Sequence, residues 1–214
     1  MAERSARTCL YFGTFNPIHS GHLMIAQAAL RQYGPVLGFD TITFIPAGSP
    51  PHRHHENDLL DARRRLHLVQ LATADNPAFR VLDIEIQRPG QSYTVDTIAQ
   101  LLAQGVVTAP VPFIIGADAL KGLATWHKPK VLIEQAHFLQ APRPDCAPVA
   151  TLSFEGPAHD SARLNTSAID MPMLAISSTW IRKTLREKQG AGEDLRYFLP
   201  EPVRAFIRAN GLYI

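Results

Sequence analysis

Two histidines three residues apart, His19 and His22, follow the stretch Gly13-Thr14-Phe15-Asn16-Pro17-Ile18. On a helix such a pair shares one face. Beside a phosphate, two imidazoles can donate hydrogen bonds to charge developing on a transferred group. Two plainer readings stand beside that one: the pair caps the helix, or it forms half of a zinc site, although no third ligand lies nearby in sequence. Gly13 allows the backbone a close approach to a ligand, and Asn16-Pro17 is a turn signal. A helix beginning near His19 would aim its free N–H groups and partial positive charge at an anion. Neither G-x-x-x-x-G-K-[ST] nor G-x-G-x-x-G occurs here, which excludes a P-loop and a dehydrogenase fingerprint.

A second cluster lies near the other end of the chain, Ile176-Ser177-Ser178-Thr179-Trp180-Ile181-Arg182. Hydroxyls and free amides at a helix start, with Arg182 on the first turns, suit a polyphosphate tail. On its own the cluster is equally an ordinary Ser/Thr N-cap with a surface arginine.

The segments around these clusters alternate between strand-like and helix-like patterns. Strands are expected at Thr8 to Phe12, Thr41 to Ile45, Phe79 to Ile86, Val111 to Ile115 and His137 to Ala141, with a last one at Met173 to Ile176. Helices are expected at Gly21 to Gln32, Leu60 to Ala74, Thr94 to Gln104, Lys128 to Gln135, Ser178 to Lys188 and Glu201 to Asn210. Arg143 to Ile169 carries no clear period and is expected to be mostly irregular. Alternating strands and helices imply an α/β fold, a doubly wound, Rossmann-like parallel sheet with helices on both faces. Such a sheet binds ligands at the carboxyl ends of its strands, where strand order reverses. The expected organisation is a single domain, a core over 1–175 and a small C-terminal helical part over 176–214.

Composition sets the outer bounds. Of 214 residues, 46% are hydrophobic, enough for a core and too many for a disordered chain. Lys plus Arg number 21 against 19 Asp plus Glu, a net charge of +2. That balance lacks the concentrated basic face of a nucleic-acid binder. No apolar run approaches a membrane span, and Met1 to Arg7 lacks the apolar stretch of a signal peptide. Two cysteines, Cys9 and Cys146, form neither a C-x-x-C pair nor a disulfide scaffold. A cytoplasmic protein is expected, contacting neither nucleic acid nor membrane; a homo-oligomer is compatible with the sequence.

The string Gly13 to Leu23 closely resembles the N-terminal signature G-[ST]-F-[DN]-P-[IV]-H-x-G-H of the nucleotidylyltransferases, a superfamily whose fold is related to class I aminoacyl-tRNA synthetases. Phe12 stands where many members have a glycine. The Ile176–Arg182 cluster resembles that superfamily's I-S-S-T-x-[IL]-R, which binds the β- and γ-phosphates of ATP. Pro50-Pro51-His52-Arg53 resembles the P-P-H-[KR] element of bacterial nicotinate mononucleotide adenylyltransferases, where the basic residue meets the mononucleotide phosphate. Ser92-Tyr93-Thr94-Val95-Asp96-Thr97 resembles that family's S-Y-T-x-x-T, and Gly116-Ala117-Asp118 followed by Trp126 resembles its G-x-D…W. His127 replaces a tyrosine common there.

The resemblance implies transfer of the adenylyl group of ATP to nicotinate mononucleotide, giving nicotinate adenine dinucleotide and pyrophosphate. It implies catalysis by His19, His22 and Arg182. ATP would be held by Gly13, Thr14, Phe15, His19, His22, Gly116, Asp118, Ile176, Ser177, Ser178, Thr179 and Arg182. The mononucleotide would be held by Asn16, His52, Arg53, Ser92, Tyr93, Thr94, Trp126 and His127. Asp118, just past a strand end, is placed to accept ribose hydroxyls, and Trp126 offers a flat face to a pyridine ring, or else packs in the core. Mg²⁺ would arrive bound to the triphosphate, since no carboxylate cluster is built to hold it. The rivals are another adenylyl- or cytidylyltransferase, such as the pantetheine-phosphate enzyme, and a non-catalytic nucleotide sensor on the same scaffold.

Overall fold

A computed structural model describes residues 8–50, 58–144, 146–154, 161–187 and 195–214. The expected α/β sheet is present. In chain order its elements are β1 (Thr8–Gly13), α1 (Ser20–Leu37), β2 (Thr41–Pro46), α2 (Ala62–Thr73), β3 (Phe79–Val81), α3 (Ile84–Gln87), α4 (Thr94–Ala103) and β4 (Val111–Gly116). They continue with α5 (Ala117–Lys121), α6 (Pro129–Gln135), β5 (Ala136–Ala141), β6 (Thr151–Ser153), β7 (Ser161–Arg163), β8 (Thr166–Ala168), α7 (Ser178–Glu187) and α8 (Glu201–Ala209).

Six strands form one sheet in the order β3-β2-β1-β4-β5-β8. The pairs β1–β4, β4–β5 and β5–β8 are parallel, with Leu10 opposite Phe113 and Phe113 opposite Phe138. The chain winds outward from β1 to β3, then returns beside β1 with β4 and winds the other way. Right-handed crossovers place the connecting helices of the two halves on opposite faces of such a sheet. Strand order reverses between β1 and β4, the position where this architecture binds ligands. The central strands read as continuous apolar runs because both of their faces are covered: Leu10, Ile42, Phe44, Ile114, Phe138 and Leu139 are fully buried. Cys9 lies among them, and burial pushes its thiol well above the ordinary range, whereas Cys146 is only half-buried.

By its internal contacts the chain divides into two compact units. One comprises Met1–Phe12, Ile25–Thr43 and Tyr93–Leu174; the other comprises Gly13–Met24, Phe44–Ser92 and Ala175–Ile214.

Three expectations are corrected. The strand expected over Phe79 to Ile86 ends at Val81, and Ile84–Gln87 is a helical turn. Leu82 N–H still donates to Phe44 O at 3.0 Å, but Asp83 O then accepts from Ile86 and Gln87, closing a helical turn. The alternation Leu82, Ile84, Ile86 imitates a strand. Met173 to Ile176 is not a strand; the sixth strand is β8, drawn from the stretch expected to be irregular. Thr166-Ser167-Ala168 has no apolar signature. It is pinned to β5 by side chains such as Gln140, a buried residue of β5 whose amide donates to Thr166 Oγ1 at 2.5 Å and both donates to and accepts from the Val149 backbone at 2.7 Å. The same irregular stretch also holds the antiparallel pair β6–β7. Finally, α1 runs past Gln32 to Leu37 and contains Gly34 and Pro35. Gly34 is required there, because a Cβ would sit 2.8 Å from Phe39 O.

Candidate active site

In the unit that begins at Gly13, the first cluster is a packed turn. Phe15 takes a positive φ of 48° and turns its ring back over Gly13, where a Cβ would come within 2.7 Å of it. The glycine is thus needed for the side chain of Phe15 as well as for backbone freedom. That ring meets His22 edge-on at 5.2 Å. His19 precedes the first residue of α1 and is 2% exposed; its ring stacks on His22 at 3.7 Å and 27°. A Cβ on Gly21 would stand 3.1 Å from His19 Nδ1, so Gly21 makes room for the stack.

The backbone N–H of His19 donates to His22 Nδ1 at 3.2 Å. A neutral imidazole that accepts at Nδ1 carries its proton on Nε2. His22 is therefore both a cap, as the plainer reading has it, and a ring whose other nitrogen is set as a donor.

The second cluster bonds directly to the first. Ser178 Oγ donates to Pro17 O at 2.8 Å, and Arg182 Nη1 donates to Asn16 O at 2.8 Å. Ser177 caps α7, its Oγ accepting from Trp180 N–H at 3.2 Å. Ile176 is half-buried and Thr179 exposed.

Arg182 is 4% exposed, and its Nε reaches Asp58 Oδ2 at 2.8 Å. Arg186, one turn on, reaches the same oxygen at 2.7 Å. Hydrogen bonding by Arg186, followed by that of Arg182 and both positive charges, outweighs burial and holds the Asp58 carboxyl below the usual carboxylate range. A cavity of about 640 Å³ is lined by Asp58, Leu59, Leu60, Arg186, Tyr213 and Ile214.

Asn16 sits at the centre of this unit with both ends of its amide engaged. It donates to Asp58 O at 3.0 Å and accepts from Leu60 N–H at 3.2 Å and Tyr213 Oη at 2.9 Å. Thr14 is half-buried, and its carbonyl accepts from Arg65 at 2.8 Å. Ser92 Oγ accepts from the Gly48 and Ser49 amides at 3.1 and 3.0 Å, which fastens the chain leaving β2. His52 and Arg53 lie outside the described residues.

The unit that contains Tyr93 carries the remaining candidates. Gly116 closes β4 and Asp118 stands on the first turn of α5, where Arg143, just past β5, lies 3.4 Å from its carboxylate. A Cβ on Gly116 would be 2.4 Å from Asp118 Oδ1. This glycine keeps the space over the strand end open for the pair. Tyr11, in β1, has its hydroxyl pushed up by burial, while Arg143 pulls it down and Asp118 adds to the rise.

Tyr93 caps α4 without a side-chain bond and stacks on His127 at 4.3 Å and 30°. Thr94 opens α4, and Trp126, between α5 and α6, is half-buried. Phe12, in the place of a family glycine, packs edge-on against Phe113 at 5.1 Å.

Sequence reasoning missed Asp58, Arg143 and Arg65. The first two are lone charges in segments without a period. Arg65 lies on the buried face of α2 with Leu68, Val69 and Ala72, a helical spacing that was open to view. Among the described residues, no group of three His, Cys, Asp or Glu could hold a metal ion, and no helix is long and apolar enough to cross a membrane.

The cytidylyltransferase-like family model matches residues 10–184. A relative from Exiguobacterium sibiricum, named nicotinate-nucleotide adenylyltransferase, is 40% identical over 201 residues, covering 94% of this chain and 95% of its own. One of the same name from Moorella thermoacetica is 36% identical over 213 residues, covering 100% of this chain and 94% of its own. The solved Plasmodium falciparum nicotinic acid mononucleotide adenylyltransferase complexed with NaAD superposes with a TM-score of 0.68 over 96% of each chain. At 18% identity that likeness is one of fold.

Proposed function

The chain belongs to the nicotinate-nucleotide adenylyltransferase family, and on that premise we propose that it transfers the adenylyl group of ATP to nicotinate mononucleotide in NAD biosynthesis. Pyrophosphate and nicotinate adenine dinucleotide are the products. The observation that carries the reading is the bonding of Ser178 and Arg182 to the backbone of the His19–His22 turn. Groups from opposite ends of the chain form one anion-directed cluster.

The mononucleotide phosphate attacks the α-phosphorus of ATP, and its bond to the leaving pyrophosphate breaks. A phosphate monoester is already largely ionised near pH 7, its second pKa being about 6, so the nucleophile needs no general base. The protein positions the two phosphates and stabilises charge. His22 Nε2–H and His19 donate to the transferring group. Arg182, with Ser177, Ser178 and Thr179, meets the outer phosphates, exchanging Asp58 for them. ATP enters as its magnesium complex, whose cation neutralises part of the triphosphate charge.

Asp118 accepts the ribose hydroxyls beside Arg143. Trp126, with its neighbour His127 and the Tyr93 ring stacked on His127, takes the pyridine ring, while His52 and Arg53 meet the mononucleotide phosphate. The protein acts in the cytoplasm as a single catalytic domain.

Nicotinate is preferred over nicotinamide. The first amides of α4 can only donate. A carboxylate accepts them with either oxygen, whereas an amide turns an NH₂ toward donors. One such mismatch costs about 1–3 kcal/mol, and the positive end of α4 adds about 0.3–1 kcal/mol for the anion, together roughly tenfold or more. A coupled pyrophosphate assay with a panel of mononucleotides and pantetheine phosphate tests both claims. Product from nicotinate mononucleotide is expected, with kcat/KM at least about tenfold above the amide. Equal values would overturn the ring-pocket reading, and no turnover of either pyridine substrate would overturn the function.

A further inference from the structure

Among the described residues, the largest fully buried side chain is a charged one, Arg65, 1% exposed. It stands on the first turn of α2, and its guanidinium donates to three backbone carbonyls. Nε reaches Leu60 O at 2.9 Å, Nη1 reaches Thr14 O at 2.8 Å and Nη2 reaches Gly48 O at 3.0 Å. Thr14 belongs to the turn that carries His19 and His22. Gly48 and Leu60 are the two ends of the connection from β2 to α2, and His52 and Arg53 lie between them in sequence.

We propose that Arg65 is a positioning residue for adenylyl transfer: one rigid guanidinium holds the phosphate-handling turn and both ends of the neighbouring loop at fixed distances from each other. The proposal rests on the reading of the reaction given above. The guanidinium is planar and its five N–H groups point in fixed directions, so three bonds from it define three positions at once. These three bonds all go to main-chain oxygens, so the backbone of each loop is what they fix.

Neighbouring bonds depend on that register. Asn16 ties Asp58 and Leu60 to the same turn. Ser92 Oγ takes the amides of Gly48 and Ser49, while Gly13 O takes that of Ala47 at 2.9 Å. In-line transfer between two phosphates demands this kind of accuracy, because a misplacement of about 1 Å from a change remote from the chemistry can cost about 10²-fold in rate.

Arg65→Lys tests the proposal, since an ammonium on a flexible stem cannot span three fixed carbonyls. Leu68→Ala, on the same helix and equally buried, serves as a control for lost stability alone. Both are assayed well below their melting temperatures. R65K is expected to lower kcat by at least about tenfold and to speed hydrogen exchange at the Gly48, Ser49 and Leu60 amides of the ligand-free protein. L68A is expected to match or exceed its loss of Tm while keeping kcat within about threefold.

A kcat for R65K within about threefold of the unsubstituted protein, or an equal fall in L68A, overturns the proposal. Loss of folding in both Arg65→Lys and Arg65→Gln assigns Arg65 to stability alone and overturns it as well. If the unsubstituted protein makes no dinucleotide, the substrate reading fails, while unchanged amide exchange in R65K refutes the loop-holding role by itself.

Discussion

The residues assigned to phosphate and those assigned to ribose and ring are built in opposite ways. In the unit from Gly13, His19, Asn16, Arg65 and Arg182 are all buried; His19 stacks on His22, and the other three bond to backbone. In the unit that contains Tyr93, Asp118 and His127 are exposed, Trp126 is half-buried, and the ion pair between Asp118 and Arg143 is 3.4 Å long. The difference suits the chemistry proposed for each side. Charge developing in a transition state is stabilised by donors already aimed at it, which cost no reorganisation. A ring or a ribose is recognised in the ground state, where a flat face and an exposed carboxylate suffice.

The largest test of this contrast is His22→Ala. Losing one pre-aimed donor is expected to lower kcat by about 10²–10³-fold with little change in either KM; steady-state kinetics with both substrates varied checks it. A change in kcat of less than about threefold would make the turn a helix cap and nothing more. On the other side, Trp126→Ala is expected to raise the KM for the mononucleotide roughly tenfold, the scale of one stacking contact worth about 1–3 kcal/mol, and to leave kcat and the KM for ATP nearly unchanged. A fall in kcat as large as that of His22→Ala would erase the distinction between the two regions.

The smallest effect concerns Asp58, and it depends on pH. Its carboxyl is held below the usual range chiefly by Arg186. A carboxylate depressed in this way adds stability above its unfolded value of about 3.9 and loses it as pH falls through the lower folded value. Asp58→Asn should therefore lower Tm by a few degrees near pH 7, and the gap should close below about pH 4. With the Asp58 side chain 27% exposed, solvent screening keeps the effect near ~1 kcal/mol. Thermal melts from pH 3 to 8 measure it, and a gap independent of pH would remove Asp58 as the charged partner of Arg182.

The two clusters assigned to phosphate, which the structure bonds together, were visible in the sequence because each is a short run: a glycine, a turn and two histidines within ten residues, and hydroxyls with an arginine at a helix start. Strands that are buried on both faces announced themselves as apolar runs. What escaped is held by contacts distant along the chain. β8 is an edge strand of Thr, Ser and Ala, fixed by backbone pairing to β5. Asp58 acquires meaning only once α7 brings Arg182 and Arg186 to it. Ser92 resembled a ring-pocket residue, yet its hydroxyl fastens the Gly48–Ser49 backbone.

The unequal burial of the two thiols makes the protein a ready target for site-selective labelling. Thiolate is the reactive form, and Cys9, sealed in the central sheet with its thiol pushed far up, will resist alkylation in the native state. Cys146 remains addressable, and its N–H donates to the carbonyl of Arg143, whose guanidinium pairs with Asp118. A fluorophore on that one sulfur would occupy the neighbourhood where ribose is expected, turning the natural chain into its own optical reporter of nucleotide arrival without any engineered cysteine.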